Sequence, residues 1–574
     1  MVTQAQTSNG PRAPRVSRGP DAPALALGAL LLVTTLLRLV AGANRPLWLD
    51  EAWTGMIVSQ TSFSGFVRQC YLDINAPLYY LIAALWAQVA GLSDAALRFP
   101  ALLFGCLVPF AALLPGLGAS RPVRFVWCGL LACWIPGLYS SHDARCYTLA
   151  LLLGVVSTLA YARLLRSPTV KRAWLWTVLS SLLILTHYYG VVLVALQGTL
   201  YLAIHRWVAV RTWPAALAFA PAAASIAAHA ALLAKFTDPG VSWLPTLGAG
   251  VIPAPARLLI GTALLAGAAA VCVWAARRRG RLLEGPGAAE CFQAKWVLVR
   301  RQNARQNEIL ERRSDSIGAD SGPEASGEPL APWIAAAASF AAVVAAIGGG
   351  FFRPVFEPRY LTTFMPGALL GLALFIQRFS SDWKPAPAAL VALFFAAFVA
   401  WSVRALEGFN VFNFETASEA LMARRPPRLV FLWDGPMRPD ASALIGAGGF
   451  FFRRAGVPVT VIPVSLAANE DPNQVLLAHA RQPGTAILWI YDLGVQGTAA
   501  ARYPPRISLI DPRRRCRDFG RGDFGAIACD APAAPAAKAA PEPERASIVT
   551  TPRHTVAPGR AALPTPRLPR SGGA

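Results

Sequence analysis

The sequence predicts a mainly α-helical, polytopic transmembrane bundle with a small C-terminal α/β domain and a disordered tail. Three observations predict it. Of 574 residues, 55% are hydrophobic and only 15% charged. The apolar residues fall in blocks about as long as the roughly 20 residues needed to cross a bilayer. Near the C-terminus the blocks give way to short β-branched and aromatic runs bounded by turn residues.

Residues 1–22 are polar, carry Arg12, Arg15 and Arg18, and lack a cleavable signal pattern, so they read as a disordered cytoplasmic N-terminus. Apolar runs follow near 23–41, 97–118, 124–140, 146–165, 172–187, 190–204, 213–234, 257–275, 331–351, 362–378 and 386–404. They make a transmembrane domain of about 11 spans over 23–405. Basic residues gather at Arg121/Arg124, Arg163 to Arg172, Arg206/Arg211, Arg277 to Arg313 and Arg378/Lys384. With the N-terminus inside, all of these loops lie on the cytoplasmic side. The net charge of +22 is thereby read as topology, and nucleic acid is excluded as a partner in favour of membrane lipids.

The same count puts loop 42–96 and everything after Arg404 on the outer, periplasmic side of a bacterial-type inner membrane. Residues 76–91, opened by Pro77, are too short to span comfortably and read as a helix on the membrane surface. The insertion 276–330 is charged and rich in Gly, Ser and Glu, and is expected to be cytoplasmic and partly disordered. In 415–530, "RLVFLWDGP", "VPVTVIPVS" and "TAILWIYDLG" read as buried strands, with helices at Asp440–Arg454 and Asn473–Arg481. "GAGGF" at 446–450 lacks the Lys-Ser/Thr ending of a phosphate loop. Residues 531–574, rich in Ala and Pro, cannot build a core. Cys516 and Cys529 flank a Gly-rich turn and can pair if this domain faces an oxidising compartment. The other seven cysteines fit no zinc or redox spacing.

Some charges are not needed for topology. Arg38, Arg98, Arg145, Arg353 and Arg359 fall on the outer side, where few cations are expected, together with Asp50, Glu51, Asp73, Asp94, Asp143 and Glu357. Ionised groups near the hydrocarbon cost about 2.5–3.5 kcal/mol each on insertion scales, so each arginine needs an acid, an interface or a bound anion. Arginine suits phosphate, and a carboxylate suits the activation of a hydroxyl. Together they suggest a lipid phosphate attacked by a hydroxyl.

The ordered set "LWLDEAW", "LDINAPLYYLIAALWAQVAGLSDAALRFPAL", "DARCYTLALLLG", "THYYGVVLVALQGTLYL" and "EPRYLTTFMPG" resembles the GT-C fold glycosyltransferases that use lipid-linked sugars, in particular the protein-mannosyltransferase and aminoarabinose-transferase-like group. The resemblance covers roughly 25–405. It implies Asp50 as catalytic base, with Glu51 as the neighbour that positions the site, and Asp73 at the second acidic position. It also implies Arg145 with Tyr147 and Arg359 with Tyr360 near the donor phosphate, and His187 in a His-Tyr-Tyr element. Domain 415–530 and insertion 276–330 have no counterpart that carries over, so the acceptor does not transfer.

The chemistry stands apart from the name. A sugar on a polyprenyl phosphate has a good leaving group, so the catalyst must hold the departing phosphate and activate the acceptor. One carboxylate with arginines suffices, and neither a cofactor nor a metal is expected. Each residue also has a plainer use: a cap or turn for Asp50, Glu51 and Asp73, and an interfacial aromatic place for His187, Tyr188 and Tyr189. The function expected is inverting transfer of a hexosyl or pentosyl group from a polyprenyl-phosphate sugar to a lipid, glycan or protein acceptor. The alternative is a transporter or flippase for an anionic lipid or solute, which calls for charges near mid-span and paired broken helices.

Overall fold

The computed structural model describes residues 21–41, 45–237, 247, 330–379, 385–406, 414–434, 441–465, 482–492, 514–519 and 524–531. The apolar run 257–275, the helix expected at Asn473–Arg481, nearly all of the N-terminus and of the insertion, and the tail beyond Ala531 lie outside these residues.

The helices in chain order are α1 (Ala22–Val40), α2 (Leu49–Val58), α3 (Phe63–Leu72), α4 (Leu78–Ala90), α5 (Asp94–Ala111), α6 (Arg121–Ala132), α7 (Ile135–Ser141), α8 (Tyr147–Arg166), α9 (Val170–Thr186), α10 (Gly190–His205), α11 (Trp207–Val210), α12 (Ala220–Phe236), α13 (Leu330–Phe352), α14 (Met365–Phe379), α15 (Ala386–Leu406), α16 (Phe414–Met422) and α17 (Ala441–Arg454). Among the described residues, six helical segments are long and apolar enough to cross a membrane, or seven if the bent pair α6–α7 counts as one span. The other runs that fall within the described residues, 172–187, 190–204 and 362–378, are built around α9, α10 and α14, which are shorter.

Helix α8 is the centre of the bundle: 83% of its apolar window is buried, against 17% for α1 and α15. Its small residues explain the place. Gly154 sits against Pro366 and the Thr363 carbonyl, where a Cβ would come within 3.0 Å of both. The run 124–140, read as a single span, is bent by 54°. Pro136 in the first turn of α7 has no N–H to offer the carbonyl four residues back, that of Ala132. Arg38, buried at the end of α1, donates from Nη2 to that oxygen at 2.7 Å.

The C-terminal strands are β1 (Arg428–Asp434), β2 (Thr460–Ser465), β3 (Thr485–Asp492), β4 (Cys516–Asp518) and β5 (Phe524–Cys529), ordered β2-β1-β3-β5-β4. β1 runs parallel to β2 and β3, while β5 is antiparallel to β3 and β4. Pro463, which cannot donate to a ladder, lies on the edge strand β2. Cys516 and Cys529 are cross-strand partners and form a disulfide. The crossover from β1 to β2 is α17, and the glycines of "GAGGF" serve its packing: a Cβ on Gly448 would lie 2.6 Å from the Phe431 ring of β1.

Candidate active site

Asp50 and Glu51 open α2, in its first turn, where negative charge is favoured. Successive helical residues point about 100° apart, and the two carboxylates end in different surroundings. Glu51 is fully buried. Its Oε1 accepts from Arg98 Nε at 2.6 Å and from the Ala144 N–H at 2.9 Å, and its Oε2 accepts from Arg98 Nη2 and from the Trp48 N–H at 3.2 Å. Arg98 also donates to the Pro46 carbonyl at 3.0 Å, which fixes the chain entering α2. This bidentate pair satisfies both groups and leaves no face of Glu51 for a substrate.

Asp50 faces the other way. Its Oδ2 is 3.0 Å from Arg359 Nη1, and the two side chains are 27% and 24% exposed. Arg359 stacks over the rings of Trp48 at 5.4 Å and Tyr147 at 5.8 Å. Its Nε lies 3.9 Å from Glu357. Arg145 is buried; its Nη1 donates to the Asp50 carbonyl at 3.3 Å and to the Tyr80 hydroxyl at 3.0 Å, and lies 3.7 Å from Asp73. The Tyr80 hydroxyl in turn donates to Asp73. The other Asp73 oxygen accepts from the Asn75 backbone and amide, a local turn closure before α4.

His187, in the turn between α9 and α10, joins this group through rings. Its centroid is 5.0 Å from Tyr360, 5.7 Å from Tyr189 and 5.9 Å from Tyr147. Nδ1 accepts the Tyr189 N–H at 3.3 Å, whereas Nε2 is buried with no hydrogen-bond partner. With Nδ1 as acceptor, the neutral ring carries its proton on Nε2, which makes that buried atom a donor. Arg145 Nε is likewise a buried donor with no partner. Burial, with nearby Glu51, raises the Asp143 carboxyl above the usual range, and its Oδ1 accepts the Trp48 indole N–H at 3.0 Å. Burial raises Glu357 as well, against the pull of Arg359.

Thus Asp50, Asp73, Arg145, Tyr147, His187, Arg359 and Tyr360 share one neighbourhood at one end of the bundle, and Glu51 lies behind it. The five outer arginines do not act together. Arg38 caps a helix break, Arg98 is sealed on Glu51, Arg353 is exposed, and among the described residues only Arg145 and Arg359 meet Asp50. Tyr188 leaves the group for Ser225 and His229. Trp48 and Tyr80 join the site although residue type alone does not predict them; the signal the sequence carries is an aromatic just before the acid pair. Among the described residues no three His, Cys, Asp or Glu side chains come together as metal ligands.

No protein-family model matches the sequence, and no curated protein does. Among solved structures, the chain is similar to ArnT from Cupriavidus metallidurans in the apo state, with a TM-score of 0.50 and 12% identity over 88% of this chain and 97% of that one. It is similar to the same extent to ArnT from Cupriavidus metallidurans bound to undecaprenyl phosphate, at 0.50 and 12% over 89% and 98%. At this identity the likeness is one of architecture: the chain has the GT-C fold of that membrane protein across nearly the whole length of both.

Proposed function

We propose that the chain is an integral-membrane glycosyltransferase that moves a sugar from a polyprenyl-phosphate donor to an acceptor hydroxyl on the outer face of a bacterial-type inner membrane. The observation that carries the reading is the open Asp50–Arg359 pair, with Arg145 bound to the Asp50 carbonyl, in a fold shared with a protein solved with undecaprenyl phosphate bound. A polyprenyl phosphate presents an anion at the end of an apolar chain. Arg145 with a free Nε, Arg359 and the neutral His187 with a free Nε2 offer it donors at the helix ends.

In the reaction, Arg359 exchanges Asp50 for the donor phosphate, which frees the carboxylate. The acceptor oxygen attacks the anomeric carbon as the bond to the phosphate oxygen breaks. The bonding pair leaves on the phosphate, where Arg145 and Arg359 stabilise it, and the acceptor proton passes to Asp50. A single displacement inverts the anomeric centre. Tyr147 and Tyr360 wall the site with aromatic faces, Asp73 holds Arg145 through Tyr80, and Glu51 holds the loop that bears Arg145. The Cys516–Cys529 disulfide supports the reading that the C-terminal unit faces an oxidising compartment.

The test is transfer of labelled sugar from a series of polyprenyl-phosphate donors in membranes carrying the full chain. Label leaving the donor, with free polyprenyl phosphate formed in equal amount, is expected. Movement of intact lipid across the bilayer without transfer would instead establish the transporter or flippase reading.

A further inference from the structure

Helix α2 carries Asp50 but is only ten residues long and does not cross the bundle. The bundle grips its first turn through Arg98 and Arg145, and the rest of it packs on the C-terminal α/β unit. Trp53 of α2 lies where a Cβ on Gly446 of α17 would be, 2.3 Å from the ring, and Phe450 of α17 lies 2.4 Å from the corresponding point on Gly55 of α2. Each helix therefore accepts an aromatic ring of the other into a notch that only glycine leaves open.

The ends of α2 are tied as well. Arg453 Nη2 donates to the carbonyl of Ser59, the residue closing α2, at 3.1 Å. Arg454 donates to Asp94 at the start of α5 at 2.5 Å and, from Nη2, to Glu415 of α16. Glu415 accepts the N–H of Leu47, two residues before α2, at 3.2 Å. Arg454 is thus the joint at which the α/β unit, the transmembrane bundle and the chain entering α2 meet, with 22% of its side chain exposed.

We propose that the C-terminal unit is a positioning device for the reaction and that Arg454 is its key positioning residue: it sets where α2 lies, and with it the distance from Asp50 to Arg359. The inference rests on the reading of Asp50 as base, and it assigns the α/β unit a role in turnover. Displacing a reacting group by about 1 Å can lower turnover by roughly a hundredfold, so a joint outside the site has leverage on the rate.

The experiment uses the full chain in lipid nanodiscs with two readouts. The first is the alkylation rate of Asp50→Cys by a polar thiol reagent, alone and combined with Arg454→Ala, Arg454→Lys or Arg453→Ala. The second is turnover per bound polyprenyl phosphate, with Asp50 intact, in the same three backgrounds. Arg454→Ala is expected to change the alkylation rate at least threefold and to lower turnover roughly ten- to a hundredfold at unchanged donor stoichiometry, with Arg454→Lys recovering part of both. Arg453→Ala should act in the same direction by less, and decides the matter if Arg454→Ala does not fold. Unchanged alkylation, or changed alkylation with wild-type turnover, would overturn the proposal. If wild type transfers nothing while Asp50→Cys alkylation still responds to Arg454, the glycosyltransferase reading and the role in turnover fall, and only the structural tie between the unit and α2 stands.

Discussion

The Glu51–Arg98 and Asp50–Arg359 pairs differ by one residue in sequence on one side, yet they occupy opposite kinds of place. Glu51 is sealed, with both oxygens saturated by a bidentate arginine and two backbone N–H groups. Asp50 shares one contact with an arginine that is itself stacked on aromatic rings, and both remain about a quarter exposed. The difference teaches how to tell a carboxylate that holds a fold from one that can react. Sealing stabilises the ionised pair and removes it from substrate, whereas a single reversible contact leaves a base that an incoming phosphate can release.

The largest effect should separate the two acids. Asp50→Asn should lower turnover roughly a hundred- to ten-thousandfold, the range for a positioned general base, with donor binding retained; single-turnover transfer with labelled donor measures it. Glu51→Gln should act on stability, since a buried arginine left without its charge partner costs about 3–5 kcal/mol. The thermal midpoint of the solubilised chain should fall, and Glu51→Met combined with Arg98→Met should recover most of it. Turnover per folded molecule should change less than in Asp50→Asn.

A distant change sharpens the contrast. Cys516→Ser with Cys529→Ser, opening a separation of 13 residues, should cost roughly 2–4 kcal/mol and leave turnover near wild type below the unfolding transition. Calorimetry with a parallel transfer assay reads both. The smallest effect is expected for Arg359→Lys, which keeps the charge but loses the stacking on Trp48 and Tyr147. Since such contacts are worth about 0.5–2 kcal/mol, donor affinity should fall about tenfold in a lipid-binding titration.

Much of this was legible in the sequence because it is local. Bilayer-length apolar runs, the three buried strands and the Asp-Glu pair after the first span are patterns within a few residues. What the sequence withheld depends on partners far along the chain. Arg38 looked like part of an anion site, but it serves a carbonyl 94 residues away that Pro136 leaves free. Arg98 belongs to an acid 47 residues back. Both arginines resemble Arg145 and Arg359 in composition and place, and only tertiary geometry sorts them. The glycines of "GAGGF" could be excluded as a phosphate loop, whereas their use as notches for Trp53 and Phe431 needed the facing elements.

The most direct test of the central claim is a structure of the full chain with polyprenyl phosphate bound. The account predicts the phosphate within hydrogen-bonding distance of Arg145 and Arg359, Asp50 released from Arg359 and turned toward the donor, and the Glu51–Arg98 pair unchanged. A phosphate seated elsewhere, with Asp50 still held by Arg359, would contradict it.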